Sequence, residues 1–157
     1  QRKYQVLSQL HHIHQLIFNM KKIVLNFKID NIEINKILIN PEPSLFESDK
    51  YEYRLDVEHL FNVEESIVMI NVGATVFSKR KELLAEVNIN IFYVVENIKN
   101  FENKKEKKME FPEDFSIALN SVSISTLRGI MFSQFRGTYL HNAFLPIVNP
   151  KSLELAR

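Results

Sequence analysis

The residues most able to do chemistry are three histidines within four positions, His11-His12-Ile13-His14. On a helix His11 and His14 share one face and could both touch a metal ion. A metal site needs three or four ligands, and no Asp or Glu precedes Asp30. The cluster therefore reads as a solvated helix face. Carboxylates adjoin at Glu64-Glu65 and Glu113-Asp114. Neighbours point apart on a strand and diverge by about 100° on a helix, so neither pair can share a proton. Turn and helix-dipole roles account for both. Serines are frequent, but no Gly-x-Ser-x-Gly elbow occurs. Lys104-Lys105-Glu106-Lys107-Lys108 lies between Phe101 and Phe111, in form a basic patch with aromatics. The chain as a whole carries 20 Lys and Arg against 19 Asp and Glu, a formal charge of +1. A nucleic-acid or anionic-membrane binder would show a basic excess, so the run reads as a solvated loop. The expectation is a protein that is not an enzyme, with no catalytic residues, metal, cofactor or nucleic-acid partner.

Composition removes further classes. Cysteine is absent, which excludes disulfides, thiolate zinc sites, iron–sulfur clusters and cysteine nucleophiles. The three glycines are Gly73, Gly129 and Gly137, and the nearest two are eight residues apart. Phosphate-cradling loops need glycines closer together, so nucleotide-cradling loops are excluded. A chain of 157 residues with 45% hydrophobic content makes one domain with a real core. Its longest purely apolar run, Ile91 to Val95, is far short of a membrane span, and polar residues interrupt the first twenty. A soluble cytoplasmic protein without a membrane partner is expected. The surplus lies in aromatics, with 12 Phe and 5 Tyr.

Periodicity names the elements that must hold these side chains. Val6, Leu10, Ile13, Ile17 and Met20 repeat at helical spacing, giving an amphipathic helix over 1–19, an extension to a main domain at 20–157. From Lys22 the period becomes two: Ile23, Leu25, Phe27 and Ile29, then Ile32 and Ile34, then Ile37 and Ile39. This reads as a strand bulged near Asp30-Asn31. Pro41 and Pro43 end it in a loop that runs to Asp49. Further strands follow over about 51–58, 66–78 and 83–95, joined by short turns and hence an antiparallel meander. A polar connection over 96–112 leads to a long helix opened by Pro112-Glu113-Asp114 and stopped at Gly137. Asn149-Pro150 opens a last short helix.

The long helix has two apolar lines, Phe115, Leu119 and Val122, and Ile117, Ile124, Leu127, Met131 and Phe135. Beside them Ser121, Ser125, Gly129 and Ser133 form a small-residue row at i+4 spacing. Two apolar sides imply two covers, of which a four-stranded sheet supplies one. A second copy of the chain, closely approached along the small row, supplies the other. The alternative is that the serines face water. Leu45 and Phe46 in the Pro-rich loop, Tyr51 and Tyr53 on the second strand, and Tyr139, Leu140, Phe144 and Leu145 after the helix lie outside the strong core periods. They either line an apolar groove or cap the core beneath the loops.

The run Arg136-Gly137-Thr138-Tyr139-Leu140-His141-Asn142-Ala143-Phe144-Leu145-Pro146-Ile147-Val148-Asn149 resembles the segment after the long helix in the SecB family of export chaperones. The matching positions are Arg136, Gly137, Thr138, Pro146 and Asn149, and the order of elements over 22–157 is similar. The resemblance implies an α+β fold, a four-stranded antiparallel sheet with a long helix in the C-terminal half. It also implies a homotetramer built as a dimer of dimers, with the helices between the sheets. Its activity would be that of an ATP-independent holdase, binding unfolded polypeptide clients in apolar grooves made by the crossover loop, the neighbouring strand and the final helix. Protein export, with SecA as partner, or a dedicated antitoxin client would be its setting. The chain departs from typical members in its near-zero charge, its lack of a zinc-binding cysteine tail and Pro-Ile-Val-Asn where they read Pro-Val-Asn. Docking on SecA through such a tail is not supported, and a divergent SecB-like branch is indicated. The competing expectation is a small-ligand-binding or enzymatic α+β domain with an enclosed pocket.

Overall fold

The structure, a computed structural model, describes residues 26–44, 50–103 and 108–149. The helix expected at 1–19 with its histidines, Leu45 and Phe46, Lys104–Lys107 and the last helix lie outside the described residues.

Strands β1 (Phe27–Ile39), β2 (Tyr51–Asn62), β3 (Ile67–Ser78) and β4 (Leu83–Val95) form one antiparallel sheet in the order β1-β4-β3-β2. Short turns make β2-β3-β4 a meander, the connection with least loop-closure cost. The crossover after β1 carries the chain to the far edge. Helix α1 (Glu113–Phe135) lies across β3 and β4, giving the α+β architecture that the periodicity implied.

β1 keeps its isoleucines on one side by breaking register twice, between Ile29 and Asn31 and between Ile34 and Lys36. Each bulge absorbs one residue, Asp30 and then Asn35, and so restores the alternation. Ile29, Ile32, Ile34 and Ile37 consequently oppose Tyr93, Ile91, Ile89 and Val87 of β4. Those four β4 residues are wholly buried.

The core joins the inward residues of β3 and β4 to Leu119, Ile124, Leu127, Met131 and Phe135 of α1. Phe115 and Leu119 from one apolar line are buried in it together with Ile124, Leu127, Met131 and Phe135 from the other, while Val122 and Ile117 are half-buried. The sheet takes more of the helix than an expectation of two separate covers implied. The two lines straddle a sheet-facing stripe of Ser116, Asn120 and Ser123, all buried, so the sheet takes most of both lines. That polar stripe is paired: Ser123 Oγ lies 2.8 Å from Tyr93 Oη, and Asn120 Oδ1 lies 2.6 Å from His59 Nε2. The helix is long and apolar enough to cross a membrane by composition, but its apolar lines pack on the sheet as a core helix does.

The connection at 96–112 has more order than a polar loop. Asn97 takes a positive φ of 60° and starts a 3-10 turn, Ile98–Phe101. β5 (Glu102–Asn103) and β6 (Lys108–Met109) then pair as a small hairpin, and Glu110 N–H donates to Phe101 C=O at 2.9 Å. This closure brings Phe101 and Phe111 to 5.6 Å between ring centroids. Contacts continue from Phe111 to Phe115 at 5.1 Å, from Phe115 to Phe27 at 5.5 Å and from Phe27 to Tyr93 at 5.8 Å. The aromatics flanking the lysine run thus plug one end of the core.

Candidate functional site

At the opposite end of the sheet the chain leaves α1 through Gly137, whose φ of 79° ends the helix in the region that glycine tolerates best. Thr138 Oγ1 donates to Phe135 C=O at 2.8 Å and accepts from Leu140 N–H at 3.1 Å. The Arg-Gly-Thr run is thereby a stop signal that turns the following segment back over the core. Leu140, Ala143 and Leu145 drop into that core, each at most 3% exposed. For Leu140 and Leu145 the core-capping alternative holds, and they present no open surface.

The turn-back brings Tyr139 to the crossover. Its hydroxyl donates to Asn40 C=O at 2.8 Å, at the end of β1. Tyr51 and Tyr53 stand two residues apart on the inner face of β2, rings 6.4 Å apart, both half-buried. Burial pushes the Tyr53 phenol up to about 12, with a further push from Tyr51. Tyr139 is raised as well, by burial first and then by Glu42 and Tyr51. Three tyrosines and the start of the crossover therefore converge, and Tyr53 and Tyr139 are held in the neutral form. Neutral phenols offer apolar faces and hydrogen-bonding tips, suited to adaptable contact rather than to base catalysis.

A second surface lies on the outer side of α1. Phe132 and Phe144 stack with centroids 6.0 Å apart, and the Arg136 guanidinium sits 5.7 Å from the Phe132 centroid. Both rings are about half exposed, at 48% and 54%, and nearby in sequence Ile147 is 93% exposed. The segment is held in place by Arg128, whose Nε donates to Leu145 C=O at 2.9 Å and whose Nη2 donates to Pro146 C=O at 3.1 Å. Two charge-assisted bonds from one planar group fix an apolar surface outward. Sequence reasoning identified Phe144 but missed Phe132 and Arg128. Phe132 falls off both apolar helix lines, and that was the available signal.

Two further surfaces are open. The inner face of β1 extends beyond the helix layer, leaving Ile29, Ile32, Ile34 and Ile37 exposed. Ser125, Gly129 and Ser133 are exposed on α1 and Ser121 is half-buried, and a Cβ added at Gly129 would meet nothing within 4 Å. On the other side of the sheet Asn35, Asn71, Asn88 and Asn90 form a linked belt of amides, including Asn71 to Asn90 at 2.7 Å and Asn35 to Asn88 at 2.9 Å. Gly73 makes room for it: a Cβ there would lie 2.8 Å from Asn88 Nδ2. Among the described residues no three His, Asp or Glu side chains converge as a metal site would require.

These features define an α+β protein with a one-sided helix layer and apolar surface held outward at fixed places. No protein-family model matches the chain, and no curated protein matches it. Among solved structures it is similar to the SecB-like chaperone Rv1957 of Mycobacterium tuberculosis, solved in complex with a ChAD peptide from the Rv1956 HigA1 antitoxin. The identity is 10%, over 78% of this chain and 89% of that one, with a TM-score of 0.49. It is also similar to a protein of unknown function from Streptococcus agalactiae, at 10% identity over 71% of this chain and 89% of that one, with a TM-score of 0.40.

Proposed function

We propose that this protein is a SecB-like, ATP-independent holdase that binds unfolded polypeptides on apolar surface and performs no catalysis. One observation carries the reading: Phe132, Phe144 and Ile147 are exposed while Arg128 anchors the segment bearing two of them. Burying exposed aromatics would ordinarily stabilise a fold, so rings braced in solvent call for a partner. Aromatic and aliphatic contacts accept many side chains, and burying about 1,000 Å² of apolar surface drives binding without sequence specificity. The tyrosine cluster at the crossover adds a second contact region. The element order and the Arg136-Gly137-Thr138 stop, which resemble the SecB pattern, support the same reading. Export clients and a dedicated antitoxin are both compatible with such a surface.

A homotetramer belongs to the proposal. The exposed isoleucines of β1 and the open small-residue row on α1 both lie on the helix side of the sheet, where a second copy would cover them. The test of function is suppression of aggregation of a chemically unfolded client. Wild-type protein should suppress it without nucleotide, and Phe144→Asp should weaken suppression while light scattering shows an unchanged assembly. Full activity in both Phe144→Asp and Phe132→Asp would remove this surface from the site.

A further inference from the structure

Charge is segregated between the two sides of the sheet. On the side away from the helix Glu33, Glu52, Asp56 and Glu58 are all exposed. The helix and the segment after it are different: the chain runs from Asp114 to Glu154 without one Asp or Glu between them. That stretch carries Arg128 and Arg136, four residues either side of Phe132 and so on one row of α1 with it. Arg128 spends its bonds on the neutral carbonyls of Leu145 and Pro146, and Arg136 lies over the Phe132 ring. Among the described residues neither guanidinium has a carboxylate partner. The exposed, stacked rings of Phe132 and Phe144 are therefore bordered by positive charge that the described fold does not neutralise.

We propose that this surface takes polypeptide segments in which apolar side chains are flanked by carboxylates, the rings receiving the apolar groups and Arg136 an acid. This rests on the holdase reading and names the class of segment that the Phe132–Phe144 surface prefers. The contact with Phe132 orders the Arg136 side chain, so less freedom is lost when a carboxylate arrives. Its guanidinium edges present N–H donors in a planar fork that matches a carboxylate. Arg128, fixed by its two bonds, adds a second positive charge on the same row. A basic segment would meet like charge here, whereas an acidic one is repelled by the carboxylates on the far side of the sheet. The two sides of the molecule thus sort segments in the same direction.

The probe is a set of three fluorescent peptides of one length, each with a leucine-phenylalanine-isoleucine core in a glycine-serine host. The core is flanked by glutamates in one, glutamines in the second and lysines in the third. Anisotropy should show the glutamate peptide binding about fivefold more tightly than the glutamine peptide at low ionic strength, with the lysine peptide weakest. Added salt should narrow these differences. Arg136→Glu, at an exposed site, should reverse the order, and Phe144→Ser should weaken all three peptides alike. Equal binding of the three peptides, or an unchanged order in Arg136→Glu, would overturn the proposal. Displacement of the glutamate peptide by phosphatidylglycerol vesicles would overturn it too, by assigning the surface to a lipid. Protein that binds none of the peptides yet suppresses client aggregation would overturn the acidic preference and leave the holdase reading standing. Failure of both peptide binding and aggregation suppression would overturn the two together.

Discussion

Replacing Ser123 by alanine should cost more than removing the hydroxyl of its partner Tyr93. Both side chains are wholly buried, and their oxygens lie 2.8 Å apart between the helix and the middle of the sheet. Ser123→Ala leaves the Tyr93 hydroxyl without a partner in a dry environment, which costs about 1–3 kcal/mol. Tyr93→Phe removes the same bond, but the remaining serine has a fallback on a helix: its hydroxyl can turn to the backbone carbonyl four residues earlier. The expected cost is about 1 kcal/mol or less. In the double variant no polar group is orphaned, so its cost should fall below the sum by about 1 kcal/mol. Urea unfolding followed by circular dichroism, at one protomer concentration so that assembly does not differ, reads all three values. Additive costs, or a tyrosine variant less stable than the serine variant, would refute the assignment of the polar stripe of α1 to the sheet.

Other outcomes follow from single sites. His59 is held neutral by burial, with the bond to Asn120 partly opposing, and its Nδ1 is buried without a partner. Its folded pKa lies below the unfolded value, so its stabilising effect is complete above about pH 6.5 and is lost as pH falls through the depressed folded value. His59→Gln, which can still donate to Asn120, should flatten the fall in urea midpoint on the acid side, and an unchanged slope would exclude His59 as its source. Gly129→Leu should stabilise the isolated fold by about 0.8 kcal/mol through helix propensity, because nothing lies within 4 Å of the new Cβ, yet dissociate the proposed homotetramer in light scattering. Intact mass would show that the small row faces solvent. Gly73→Ala should destabilise by about 1–2 kcal/mol, since the new Cβ pushes Asn88 Nδ2 from Asn71 Oδ1, 3.1 Å away; an unchanged urea midpoint would show that the amide belt yields freely.

Much of the architecture was legible in the sequence because each element advertises its own period. The isoleucines of β1 even marked the bulge at Asp30, since a strand must insert a residue to keep one face apolar. The Gly137 stop was legible for an equally local reason. The helix was read less well. Its two apolar lines suggested two covers, whereas the sheet buries most of both because the stripe between them is polar and hydrogen-bonded to His59 and Tyr93. Those partners are 61 and 30 residues away in sequence, so no local pattern could pair them. Among the expected groove residues, Tyr51, Tyr53 and Tyr139 do come together at the crossover, Phe144 is exposed beside Phe132, and Leu140 and Leu145 sink into the core.

What the sequence determined by itself was the set of elements, the order in which they follow and the chemistry the chain lacks, with no cysteine and no glycine-rich loop. Those properties are local or compositional, set by side-chain spacing along one segment or by residue type. Tertiary structure decided which apolar residues are spent on the core and which remain outside. Leu145 and Phe144 are neighbours in the chain, yet one is 3% exposed and the other 54%. The difference comes from Arg128, whose grip on two carbonyls fixes the angle at which that segment crosses the helix. Exposure depends on how separate elements meet in space, and so the surface that would hold a client became readable only once the helix lay on the sheet.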